Sequence, residues 1–234
     1  MDPFAISPRT IVASMAGAAR RRLRGTDTID IGDHHLRFVT DDIQTAFVVS
    51  FVFEEERPIY NDLVGRLDDE TVFYDVGANF GLYTVLAARI TDQTHAVEPD
   101  QAVLPTLRRN LDLNDVTAHI HECGLGREKR QVALEKGINP GAASIGDTGG
   151  DVILQTFDTL LEDNPAPDIV KIDVEGHGPA VLEGMTETVE TEPMIYIETH
   201  KNKDAITEIL EEYDYDVDVL HERSDAIFYR AEAR

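Results

Sequence analysis

Hydrophobic and polar positions fall into two regimes along this chain. From Thr71 onward, short apolar runs of strand length alternate with amphipathic stretches of helix length. That is the pattern of a parallel sheet with helices packed on both faces. Thr71–Val76, Thr94–Val97, Ala118–Cys123, Ile169–Val174 and Met194–Thr199 read as strands, and Asp216–Leu220 and Ala226–Tyr229 close the chain as two more. Gly81–Ile90, Val103–Leu113, Pro179–Met185 and Ala205–Tyr213 have helical spacing, with Leu104, Leu107 and Leu111 on one face. The expected class is α/β, a mostly parallel seven-stranded sheet.

Ahead of Thr71 the pattern is less regular. Thr28–Thr40 splits into two β-like pieces about Gly32-Asp33, the mark of a hairpin. Asp42–Glu55 predicts a helix, although Phe47–Phe53 is rich enough in Val and Phe to admit a strand instead, and Pro58–Leu67 predicts a further short helix. We therefore divide the chain into an accessory region, 1–65, and a main domain, 66–234. Arg127–Thr156 interrupts the alternation and reads as a hairpin with a mobile glycine-rich loop, Gly137–Gly150, near the site. The small-residue run Ala13–Ala19 leads into Arg20, Arg21, Arg22 and Arg24. This predicts a basic helix, either paired with the acidic body or resting on an anionic membrane face.

Composition sharpens the picture at three points. Asp and Glu number 45 against 21 Lys and Arg, a net charge of -24, and only five of the cations are Lys. Such a field opposes binding to nucleic acid phosphates, and acid excess with scarce Lys resembles the proteins of salt-accumulating halophiles. One cysteine, Cys123, excludes an internal disulfide. No apolar run approaches the ~18 residues of a membrane span, and the N-terminal stretch lacks an apolar signal-type run, so a cytoplasmic protein is expected.

The chemistry concentrates at strand ends. Val72-Phe-Tyr-Asp75-Val-Gly77-Ala78-Asn79-Phe-Gly81 is a strand, a glycine turn and a helix start. Ligands of open α/β sheets bind beyond such strand ends, where backbone N–H groups are free. A dinucleotide loop wants a second glycine where Asn79 stands. The spacing Asp75-x-Gly77-x-x-x-Gly81 instead resembles the first motif of class I S-adenosylmethionine-dependent methyltransferases. Glu98, 23 residues after Asp75 and just before Pro99, is placed to accept hydrogen bonds from ribose hydroxyls. Cys123 and Gly124 end the third strand, where such folds meet adenine, and Cys123 reads as a pocket wall rather than a nucleophile. In Asp168–His177, period 2 sets Lys171, Asp173 and Glu175 on one side of a strand. Glu198 and His200 share a side at the end of the next.

Five pieces in order, Asp75–Gly81, Glu98-Pro99, Lys171-Ile-Asp-Val-Glu-Gly-His177, Leu182-Glu-Gly184 and Ile195-Tyr-Ile-Glu-Thr-His200, together resemble the FkbM family of methyltransferases over roughly 70–200. One departure is Gly178, where the family more often has Glu. The resemblance implies a Rossmann-like class I methyltransferase fold, S-adenosylmethionine as cofactor, and methylation of a hydroxyl on a sugar, a glycan or a glycolipid precursor. Esterification of a uronic-acid carboxylate, a non-catalytic relative and an NAD-dependent enzyme are the alternatives. His177 or His200 is expected as general base. Asp173 is expected near the cofactor's amino group, and Glu175 near the acceptor. The site is expected to work without a metal, although Asp173, Glu175, His177, Glu198 and His200 could instead converge on one divalent cation.

Overall fold

The structure, a computed structural model, describes residues 25–136, 143–148, 150–200, 202–223 and 226–234. The expected basic helix with Arg20–Arg24, and the loop residues 137–142 and 149, lie outside these.

The amphipathic alternation folds into a seven-stranded sheet. Its strands are β3 (Phe73–Val76), β4 (Thr94–Val97), β5 (His119–His121), β10 (Ile169–Ile172), β11 (Met194–Thr199), β12 (Tyr215–Glu222) and β13 (Ile227–Ala233), in the order β12-β13-β11-β10-β3-β4-β5. Neighbours from β11 to β5 pair in parallel, and β13 runs antiparallel to both its partners. Strand order reverses between β3 and β10, so their carboxyl ends flank the crevice where such sheets take ligands. Phe73 and Tyr74, successive on β3, point into opposite apolar layers.

One layer holds α3 (Leu82–Ala88) and α4 (Leu104–Leu113), the other α5 (Phe157–Leu161), α6 (Gly178–Glu183) and α7 (Lys203–Glu212). Pro105 and Pro179 sit in first helical turns, where no N–H is missed. Arg127–Thr156 contributes β7 (Arg130–Lys136), β8 (Ala143–Thr148) and β9 (Val152–Gln155), which join β6 (Gly124–Leu125) in a second sheet, β6-β9-β7-β8. The predicted hairpin is there, but residues 143–148 are strand where a loop was expected. Gly146 is the one glycine within 143–148, and β7 supplies the pairing partner.

The described part of the accessory region packs into the same core. The hairpin β1 (Thr26–Ile31)–β2 (His34–Val39) turns at Gly32-Asp33 as predicted. Asp42 caps α1 (Ile43–Phe47) through a capping box with Thr45. Helical winding continues through a π turn, Val48–Val52, so the strand alternative for Phe47–Phe53 does not form. Ile29, Leu36, Phe38, Phe53, Tyr60 and Leu63 bury against Phe73, Tyr83 and Leu107. Helix α2 (Arg57–Val64) is fixed to the sheet by Asp62, which accepts from Tyr196 Oη at 2.6 Å and pairs with Arg230 at 3.0 Å. Among the described residues, no helix is long and apolar enough to cross a membrane.

Candidate active site

The site is built from the tips of β3, β4, β10 and β11. After β3 the chain turns on Gly77, whose φ is 82°. A Cβ there would lie 1.9 Å from the Asp173 carbonyl oxygen, so only glycine lets the β3 loop close on the β10 loop. Gly77 and Ala78 both donate their N–H to Val97 O, tying the loop to the tip of β4. Asn79 and Gly81 take positive φ as well, and the turn delivers the chain into α3.

Glu98 bridges the two loops. Its Oε2 accepts from Asn79 N at 2.8 Å and its Oε1 from Asp100 N at 2.7 Å. Each oxygen keeps acceptor capacity for one more donor, which is what a ribose diol requires. Burial pushes this carboxyl up to about 7 despite the two backbone donors. Pro99 follows it and packs near Gly124, where a Cβ would strike Leu154. The Cys123 thiol accepts from Gln155 and is pushed up to about 11 by burial.

Asp75 is 1% exposed. Its Oδ2 accepts from Thr84 Oγ1 at 2.6 Å, and its Oδ1, without a hydrogen bond among the described residues, stands 3.7 Å from Lys171 Nζ. Strand β10 ends at Ile172, two residues earlier than expected, with Asp173 N making the last ladder bond, to Val76 O. Lys171 and Asp173 still meet, Nζ to Oδ2 at 3.2 Å. Glu175, expected on the same side, is instead on an exposed turn. Burial alone would lower the Lys171 ammonium, but Asp173, Asp75, Glu56 and Glu198 hold it above its ordinary range. Burial likewise acts upward on Asp173, yet Lys171 keeps that carboxyl below the usual value.

The two histidines separate. His200, next after β11, places Nε2 3.3 Å from Glu198 Oε1. His177 precedes α6 and turns toward Gly126, with Nε2 buried and without a hydrogen bond among the described residues. Burial, then Arg130 and Arg127, pull His177 down to about 4. Among the described residues, no three His, Cys, Asp or Glu side chains form a metal-holding group.

Three residues escaped sequence reasoning. Arg223, just after β12, spans Glu56 Oε1 at 3.2 Å and Glu198 Oε1 at 2.8 Å. Glu56, 2% exposed and from the accessory region, also accepts from Tyr83 Oη at 2.8 Å. Lys171 lies over the Tyr83 ring, 4.4 Å from its centroid. The sequence marks none of them: Glu56 is the third of three consecutive glutamates, Glu54–Glu56, and is followed by Arg57.

A methionine-type cofactor fits these residues. The buried diol acceptor, the glycine turn and the acidic floor suit a ribose and a cationic amino acid end. A family model, the methyltransferase FkbM domain, matches residues 75–217. The hexuronic acid methyltransferase AglP of Haloferax volcanii is 25% identical over 211 residues, 87% of this chain and 86% of that protein. Two solved structures share the fold. The FkbM methyltransferase of Methylobacillus flagellatus KT has a TM-score of 0.54 at 21% identity, covering 95% of this chain and 60% of that one. The precorrin-6y C5,15-methyltransferase of Geobacter metallireducens GS-15 has 0.53 at 17%, covering 76% and 87%. The chain belongs to the FkbM family of S-adenosylmethionine-dependent methyltransferases.

Proposed function

We propose that this protein is an O-methyltransferase whose acceptor is a sugar unit of a glycan, hexuronic acid being the class to test first. The observation that carries the reading is the His200–Glu198 pair at the tip of β11, beside the crevice and 3.3 Å apart. The likeness to a hexuronic acid methyltransferase along 87% of the chain supports the acceptor class.

Bound S-adenosylmethionine supplies an electrophilic methyl group on a sulfonium. The chain's residues hold and orient. Glu98, next to Pro99, accepts from the ribose hydroxyls, and Asp75, Gly77, Ala78, Asn79 and Gly81 shape the loop over the methionine end. Cys123 and Gly124 wall the adenine side, and Asp173 faces the amino group. A sugar hydroxyl is a weak nucleophile and must lose its proton as the new bond forms. His200 takes that proton and Glu198 orients the imidazole. His177, kept neutral away from the Glu198 pair, lines the acceptor side, and the exposed Glu175 meets the acceptor at the rim.

A second reading has its own support. Methylating a uronic-acid carboxylate needs no base, and the relative's name specifies a hexuronic acid without specifying which oxygen. Methyl-labelled S-adenosylmethionine, offered with a hexuronic-acid glycan and its neutral counterpart, separates the two. An ether product survives mild alkali, whereas an ester releases its label. His200→Ala should cut transfer about 100-fold or more if the target is a hydroxyl, and leave it near wild type if the target is a carboxylate. No label in either glycan would overturn the reading.

A further inference from the structure

Beneath the β3, β10 and β11 tips, four carboxylates share two fixed cations. Asp75 and Asp173 meet Lys171 at 3.7 and 3.2 Å, while Glu56 and Glu198 meet Arg223 at 3.2 and 2.8 Å. Glu56 and Glu198 also act on Asp173 and on each other. Around them stand the Tyr83 hydroxyl, donating to Glu56, the Tyr60 ring stacked on Tyr83 at 4.3 Å, and His200 against Glu198. Asp75, Glu56, Lys171 and Glu198 are each 7% exposed or less. Among the described residues these four carboxylates face two fixed cations, and only Asp173, whose side chain is 33% exposed, opens toward the crevice.

A ligand that adds a positive charge at this crevice corrects the shortfall; a neutral one does not. Resting on the cofactor assignment above, we propose that this cluster is charge-matched to the methylated, cationic cofactor. Binding that form expels a proton from the Glu56–Arg223–Glu198 bridge, and binding the demethylated product, whose sulfur is uncharged, does not. The proton leaves to bulk solvent and no bond of the ligand changes. Consistent with a proton held there in the free protein, burial first and Asp173 second raise Glu56 to about 7, and burial, Asp173 and Glu56 raise Glu198 well above its ordinary value. The site would thereby prefer substrate cofactor over product by charge, and the preference would grow with pH.

The two ligands carry the same adenosine, ammonium and carboxylate, so their difference isolates the sulfur charge. Calorimetric titrations of the full chain in concentrated KCl, in buffers of low and high ionisation enthalpy, count protons released. S-adenosylmethionine and the cationic amine analogue sinefungin should each release about half a proton at pH 7, and S-adenosylhomocysteine close to none. That count makes the affinity ratio shift about 10-fold between pH 6 and pH 8. Glu56→Gln and Glu198→Gln should each erase most of the difference. The wild-type comparison stands without either variant. Equal proton counts for the charged and uncharged ligands overturn the proposal while leaving the cofactor assignment intact. Absence of binding by all three overturns the assignment and the proposal together.

Discussion

At the scale of single residues, the site is governed by where charge is forced out of water. Glu98 is 7% exposed and sits at the joint of two loops, holding each by a backbone N–H. Its proton affinity in the fold is raised above that of an unfolded glutamate. It therefore contributes stability below about pH 4.5 that is lost as pH rises through about 7. His177, lowered from 6.5 to about 4, works the other way: its contribution is present above pH 6.5 and lost as pH falls through 4. Glu98→Gln should flatten the loss of cofactor-free stability between pH 5 and pH 7, measured by urea midpoints across that window. Its overall level also drops, because an amide nitrogen cannot accept from Asn79 or Asp100. An unchanged slope would mean that Glu98 is ionised throughout.

At the scale of elements, helix α4 connects the accessory hairpin to the cofactor loop. Asn110 and Asn114, one turn apart, both face β2. Asn110 accepts from Val39 N at 2.8 Å and donates to Phe80 O at 2.7 Å; Asn114 accepts from Arg37 N and donates to Arg37 O. Asn110→Leu strands two buried backbone groups, each at about 1–3 kcal/mol, and should lower the unfolding free energy by roughly 2–4 kcal/mol. A loss under 0.5 kcal/mol in denaturant titration would contradict this account.

The same elements show what the chain's letters disclose. The β3–α3 turn was legible because Asp75, Gly77 and Gly81 are local and their spacing has one steric solution. β10 and β11 were legible by their apolar period. The π turn in Val48–Val52 was not, since its residues carry the same helical pattern with or without one extra residue per turn. Strand β8 was hidden by the glycines around it. The Arg223 bridge was invisible because Glu56 lies 167 positions away and nothing local marks Arg223 as buried. The recruitment of Glu56 by the site depends on tertiary packing alone.

At the scale of the molecule, a net charge of -24 surrounds a small buried cationic pair. Surface repulsion is screened by salt, whereas the buried bridges are screened little. Thermal midpoints should rise steadily from 0.1 M to multimolar KCl, and the rise should be matched by other monovalent salts if screening is the cause. A flat or falling midpoint would contradict a fold held back by its own charge.

The central claim is that one nucleoside sulfonium spans the tips of β3 and β4 with its sulfur toward His200. A crystal structure with S-adenosylhomocysteine tests it most directly. The account predicts both ribose hydroxyls within hydrogen-bond distance of Glu98, the amino end beside Asp173, and the sulfur opening toward the Glu198–His200 pair. A ribose held elsewhere, or a sulfur opening toward His177 with His200 shielded from it, would contradict it.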